Sequence, residues 1–214
     1  MLLLCVSDDA AVEAVLFGAN GATEGLRPGC VVLDCSTISP AQAIHCAERL
    51  GRLGVSYLDA PVTGGTEGAK AGSLTVLVGG EASALHQVQP VLEVIGGTVH
   101  HFGAVGRGQQ VKAVNQVLVA GSYAAVAEAM ALGQRLELPM QQVLQALKGG
   151  AAGSWALNHR AEGMLGGKYP LGFKLALHHK DLGIALSCAE TVQLELPISR
   201  LVQQQEAKLM RDGH

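Results

Sequence analysis

CVVLDCSTISPAQAIHCAERLGRLG, residues 30–54, decides how the first half of the chain folds. Its opening residues are apolar up to Asp34, as in a strand covered on both faces. Ser36-Thr37-Ile38-Ser39-Pro40 follows, with Ser39 placed as a helix N-cap and Pro40 at the first helical position. The same grammar recurs on either side. Leu2–Val6 is an apolar run before Ser7-Asp8-Asp9, which opens the helical AAVEAVLFG. Val55–Asp59 ends in the loop Ala60-Pro61-Val62-Thr63-Gly64-Gly65. Ser73–Val78, a helix over Ala82–Ile95 and Thr98–Phe102 complete the half. Strands alternating with helices predict βαβ units around a mostly parallel sheet, with Leu2–Val6 as an inner strand.

Beyond the glycine-rich residues 103–108 the pattern changes. Gln109 to about Leu136 reads as one long helix, apolar almost all round and therefore expected to be buried on several sides. Further helices are predicted over Pro139–Lys148, Ser154–Met164, Phe173–Val192 and Pro197–Arg211. The expected architecture is an α/β, partial Rossmann-like domain over residues 1–106, followed by an all-α domain over 107–214.

Composition bounds the partners. Of 214 residues, 49% are apolar and 15% charged, and the net charge is −3. That is too apolar for a disordered chain, and it offers no basic patch for nucleic acid. No uninterrupted apolar run approaches the ~20 residues of a membrane span, and a secretory leader is not expected. The five cysteines form no CxxC pair and read as reduced core thiols, which favours the cytoplasm. A mitochondrial location stays open for a longer chain. The doublets His100–His101 and His178–His179 lack metal-ligand spacing, so no metal is expected.

Ligands of an open parallel sheet sit beyond the carboxyl ends of its strands. Three such ends carry small polar residues: Ser7-Asp8, Ser36-Thr37 and Thr63-Gly64-Gly65. Ser7, Asp8 and Ser39 equally fit simple helix caps. The glycine pair after Thr63 costs chain entropy, so exposed amides beside a hydroxyl, suited to a carboxylate, fit it better. Lys112 lies in an apolar helix among Val111, Ala113 and Val114, with Asn115 on the same face. It reads either as a snorkelling lysine at a helix end or as an acid–base group, since burial lowers a lysine's pKa towards neutrality. Lys180-Asp181, taken alone, reads as a solvated helix start.

Five blocks in order, DCSTISP, LDAPVTGGTEGAKAGSLTVLVGG, GAVGRGQQVKAVNQ, GGAAGSWAL and FKLALHHKDLGIAL, resemble the β-hydroxyacid dehydrogenases. This is the group of 3-hydroxyisobutyrate dehydrogenase and tartronate semialdehyde reductase, whose second domain is 6-phosphogluconate dehydrogenase C-terminal-like. The resemblance implies NAD- or NADP-dependent interconversion of a short 3-hydroxy acid and its semialdehyde. Lys112 matches the family's catalytic lysine, and Asn115 the asparagine that helps hold substrate. Thr63-Gly64-Gly65 match the Ser-Gly-Gly loop that grips the substrate carboxylate, with Thr63 in place of serine. Ser36-Thr37 and Lys180 match cofactor-contacting positions, and Ser7 and Asp8 match the loop beside the nicotinamide ribose.

The family's glycine-rich GxGxxG turn, which cradles the pyrophosphate, is absent from the 214 residues; Gly106 and Gly108 are the only glycines spaced i, i+2. Against the family, the chain is expected to start at the fourth strand, without the first ~65–70 residues of the dinucleotide domain. Weak cofactor binding and impaired activity are therefore expected, together with homo-oligomers formed through the helical domain. The alternative is a non-catalytic assembly module, or gene fragment, that dimerises with itself or a full-length relative.

Overall fold

The computed structural model describes residues 1–170 and 172–213. The chain forms two compact units, Met1–Asn115 and the residues from Gln116 onward, and the dividing point falls inside one long helix.

In the first unit β1 (Leu2–Leu4), β2 (Val31–Asp34) and β3 (Ser56–Asp59) form a parallel sheet in that order. α1 (Asp9–Phe17) follows β1, with Asp8 accepting the Ala11 N–H as its cap. α2 (Pro40–Gly51) follows β2, with Ser39 accepting from Gln42 and Pro40 in the first turn. Period-two alternation sends successive β2 side chains to opposite faces. Val32 packs with Val12 and Leu16 of α1 and with Ala43, Cys46 and Leu50 of α2. Val31 and Leu33 pack on the other face with Ala84, Val88 and Leu92 of α4 (Ala82–Ile95). The continuous apolar run is thus covered on both sides. Among the described residues β1, an apolar run of inner-strand type, pairs with β2 alone and lies at the sheet edge, with Leu3 43% exposed.

A second sheet has the order β4 (Val62–Thr63), β5 (Leu74–Val78), β6 (Gly96–His101). The loop that the sequence predicts over residues 60–65 contains β4, which runs antiparallel to β5, pairing Val62 with Val76 and Thr63 with Thr75. Between them lies α3 (Gly65–Ala71). Two residues are too few to leave a strand signal in sequence, and the pairing with β5 creates the strand.

α5 (Arg107–Arg135) begins in the first unit and ends in the second. The second unit adds α6 (Met140–Lys148), α7 (Trp155–His159), α8 (Ala161–Leu165), α9 (Leu175–Thr191) and α10 (Pro197–Arg211). The helix expected over Ser154–Met164 is broken at Arg160, which has φ −120°. Val126 and Met130 of α5 pack with Leu144, Ala156, Leu157 and Ala161, while Ala120 packs with Leu182 and Val202. The expectation of burial on several sides fails for part of α5: Val114 is 63% exposed, Leu118 67% and Leu132 61%. By length and composition alone α5 could cross a membrane. Its polar side chains Gln109, Lys112 and Gln116 are buried and bond to protein groups.

The start of α5 is fixed by one carboxylate. Asp59, fully buried at the end of β3, accepts the Gly106 N–H through Oδ1 at 2.8 Å and the Gln109 N–H through Oδ2 at 2.9 Å. Negative charge at a helix N-terminus is favourable. Gly108 permits this approach, because a Cβ there would lie 2.3 Å from the Leu77 carbonyl oxygen. Burial raises the Asp59 pKa above the ordinary value, and the two amides only partly offset it. A carboxyl held above its unfolded pKa stabilises the fold fully below the unfolded value, and that contribution is lost as pH rises through the folded one. Asp59→Asn keeps one acceptor and turns an NH2 towards the second amide, and should cost about 1–3 kcal/mol in urea unfolding. The difference between wild type and variant should shrink as pH rises from about 4, the ordinary carboxylate value; a difference that grows with pH contradicts this assignment.

Candidate active site

Lys112 is buried and does not reach solvent as a snorkelling lysine would. The residue is 8% exposed, and its Nζ donates to the Val62 carbonyl oxygen at 2.9 Å. One turn on, Asn115 Oδ1 accepts from the Thr63 hydroxyl at 3.2 Å. Residues i and i+3 of the helix thus reach successive residues of β4, which places Lys112, Asn115 and Thr63 together. Gly64 follows with φ +128° and ψ −5°, a conformation an L side chain rarely adopts, and a Cβ there would stand 3.2 Å from Leu74 Cδ2. Gly65 also has positive φ, +67°. The backbone therefore turns sharply just beyond the Thr63 hydroxyl, with a buried ammonium and a carboxamide beside it.

Ser7-Asp8 and Ser36-Thr37 lie at the carboxyl ends of the adjacent strands β1 and β2. Ser7 Oγ donates to Asp8 Oδ2 at 2.8 Å, so Asp8 caps α1 and orients Ser7 together. Ser36 is buried, its hydroxyl accepting the Val6 N–H and its own N–H donating to Asp34 Oδ1. That leaves Thr37, half-buried, as the side chain of the pair nearer solvent. Lys180 belongs to the second unit. It is not simply solvated: its ammonium lies 2.9 Å from Asp181 Oδ1, and the buried Asp181 accepts from Gln116 through Oδ2 at 2.7 Å.

Two further features bear on the chemistry. Cysteine nucleophiles are not activated here. Burial pushes the Cys35 and Cys46 thiols up to about 12 and raises those of Cys5 and Cys188, whereas a reactive thiol needs the opposite shift. Only Cys35 and Cys46 are core residues, and Cys5 is exposed. Of the histidine doublets, His178 is buried against Glu206 at 2.5 Å and His101 lies 2.7 Å from the Gly80 carbonyl oxygen. Among the described residues, no group of three or more His, Cys, Asp or Glu side chains forms a metal site.

Sequence reasoning missed Asp34, Asp59, Gln109 and Gln116. A signal existed for the last two. Gln109, Lys112 and Gln116 fall at i, i+3 and i+7 on one face of an otherwise apolar helix, and all three are buried, at 1%, 8% and 2% exposure. A buried polar stripe of that kind must find partners.

Comparison with known proteins places these features in context. Residues 1–103 match the family model described as the NAD binding domain of 6-phosphogluconate dehydrogenase. Residues 106–214 match the model described as NAD-binding of NADP-dependent 3-hydroxyisobutyrate dehydrogenase. The chain is 39% identical to the 2-hydroxy-3-oxopropionate reductase of Escherichia coli K12 over 204 residues, 95% of this chain and 70% of that protein. It resembles the crystal structure of 3-hydroxyisobutyrate dehydrogenase from Salmonella typhimurium at a TM-score of 0.91 and 31% identity, covering 99% of this chain and 74% of that one. A structure of Psf3 in complex with NADP+ and 2-OPP matches at a TM-score of 0.90 and 26% identity, over 99% of this chain and 75% of that one.

Proposed function

The chain belongs to the β-hydroxyacid dehydrogenase family, whose cofactor is NAD or NADP, and from that premise we propose that it interconverts a short 3-hydroxy acid and its semialdehyde, with Lys112 as the acid–base group. The observation that carries this reading is the buried Lys112 ammonium beside Asn115, Thr63 and the Gly64-Gly65 turn. A semialdehyde of this class carries a carboxylate at one end and a carbonyl at the other. The amides of the glycine turn suit the carboxylate, with the Thr63 hydroxyl beside them giving its proton to Asn115 Oδ1, which places the carbonyl towards Lys112 and Asn115.

A dihydronicotinamide held beside Thr37, Ser7 and Asp8 would supply a hydride to the carbonyl carbon. Lys112 then transfers one proton from Nζ to the carbonyl oxygen as negative charge develops on it, and takes that proton back in the oxidative direction. Asn115, anchored on Thr63, orients the substrate oxygen. The nicotinamide side is assigned to Thr37, Ser7 and Asp8, which sit at adjacent strand ends of the first unit. The 214 residues contain no GxGxxG turn, the element that would receive a pyrophosphate.

These features set what titration and turnover should show. The 214-residue chain should bind NADH or NADPH only in the millimolar range, about −4 kcal/mol. At saturating cofactor it should reduce 2-hydroxy-3-oxopropionate, the substrate in the name of the Escherichia coli relative. Lys112→Ala should slow that reduction by about 10²–10⁴-fold while leaving cofactor affinity within about twofold. Micromolar binding would overturn the view of the cofactor site, and equal turnover with alanine at 112 would remove Lys112 from the mechanism.

A second reading, association through the helical half, is favoured by the exposed Val114, Leu118 and Leu132 of α5. We propose a homo-oligomer, which is compatible with catalysis and would also be the sole role of a non-catalytic module. Light scattering over a tenfold dilution should give at least twice the 22.1 kDa chain mass. A monomer throughout would contradict it.

A further inference from the structure

Gln109 sits where three strand ends meet the catalytic helix. It is 1% exposed, and each of its polar groups is bonded inside the first unit. Nε2 donates to the Ser36 carbonyl oxygen at 2.8 Å, and Oε1 accepts the Ile38 N–H at 3.2 Å. Its own backbone N–H donates to Asp59 Oδ2 at 2.9 Å. The side chain therefore spans Thr37, bonding the residue on either side of it, while its backbone is fastened to the carboxylate at the end of β3. The Ser36 end of this turn is tied down again, by Asp34 and by Val6 at the end of β1. Lys112 lies one turn beyond Gln109 on the same face of α5.

We propose that Gln109 is a positioning residue: it holds the Thr37 turn, on the nicotinamide side, in register with the helix that carries Lys112. The inference rests on the function proposed above. Its physical basis is that a carboxamide sets an NH2 donor group and a carbonyl acceptor in one fixed plane, matching the carbonyl and amide that flank Thr37. A loop bonded only to itself could shift by an ångström relative to α5, and displacements of that size can cost orders of magnitude in rate. Gln109 makes the loop and the proton donor move as one piece.

Three variants test this. Gln109→Leu keeps the volume and removes both side-chain bonds. Gln109→Glu keeps the acceptor for Ile38 and sets an oxygen against the Ser36 carbonyl. Val88→Ala, on the buried face of α4, serves as a control for lost stability without loss of these bonds. Amide hydrogen exchange of the full 214-residue chain reads the coupling without any need for turnover. The Ile38 amide and the first-turn amides of α5 should exchange at least about tenfold faster in Gln109→Leu, with an intermediate gain in Gln109→Glu. Val88→Ala should raise exchange no more at these amides than elsewhere in the unit. Where 2-hydroxy-3-oxopropionate is turned over with NADPH, Gln109→Leu should lower kcat at least about tenfold with KM for the acid within about threefold. Unchanged Ile38 exchange, an effect matched by Val88→Ala, or an unchanged kcat each overturns the proposal. An inactive wild type would instead remove the function proposed above, and the exchange data alone would then uphold or overturn the coupling.

Discussion

One carboxylate sets the geometry on which the rest depends. Asp59 closes β3 in the interior and receives two amides from the start of α5, so the strand end and the helix start are fixed to one group. An acceptor with two oxygens can hold two amides at once, and at a helix N-terminus its charge is also favourably placed. Burying it is costly, which its raised pKa records, and the two amides and the helix dipole offset part of that cost. With the start of α5 fixed, helical periodicity sets everything on its inner face. Gln109 meets the loop after β2, Lys112 meets Val62, and Asn115 meets Thr63.

The same helix carries polar groups into the second unit, where Gln116 bonds the Asp181 that pairs with Lys180. A helix with this mean composition would ordinarily turn such side chains to water. Here they are paired inside protein while valines and leucines of α5 face out. That inversion supports both proposals made for the helix: its buried polar stripe serves chemistry, and its exposed apolar residues serve association.

The sequence was legible wherever local physics dominates. The strands at residues 31–34 and 56–59 follow from apolar runs that end in aspartate, and α2 follows from Ser39 and Pro40. The apolar neighbours of Lys112 left open whether it snorkels to water or is buried, and the structure buries it. Features created by long-range pairing were not legible. β4 exists because Val62 and Thr63 pair with β5, and Asp34 and Asp59 read as strand terminators because their partners Tyr57, Gly106 and Gln109 lie 23 to 50 residues away. Gln109 looked like the polar start of a helix, since nothing in sequence shows that Ser36 and Ile38 lie against it. The exposed edge of β1 and the exposed flank of α5 likewise depend on which neighbours are present, and an apolar run cannot report that.

The central claim is that the Lys112 ammonium delivers the proton during carbonyl reduction, and rescue of Lys112→Ala by small primary amines tests it most directly. The rate of 2-hydroxy-3-oxopropionate reduction would be measured at fixed NADPH against the concentration of a series of alkylammonium ions of differing pKa. The account predicts that the rate rises with the protonated amine, and that the rescue constants vary log-linearly with amine pKa, as general acid catalysis requires. A variant already as fast as wild type, or one that no amine accelerates while its cofactor affinity is intact, would contradict it.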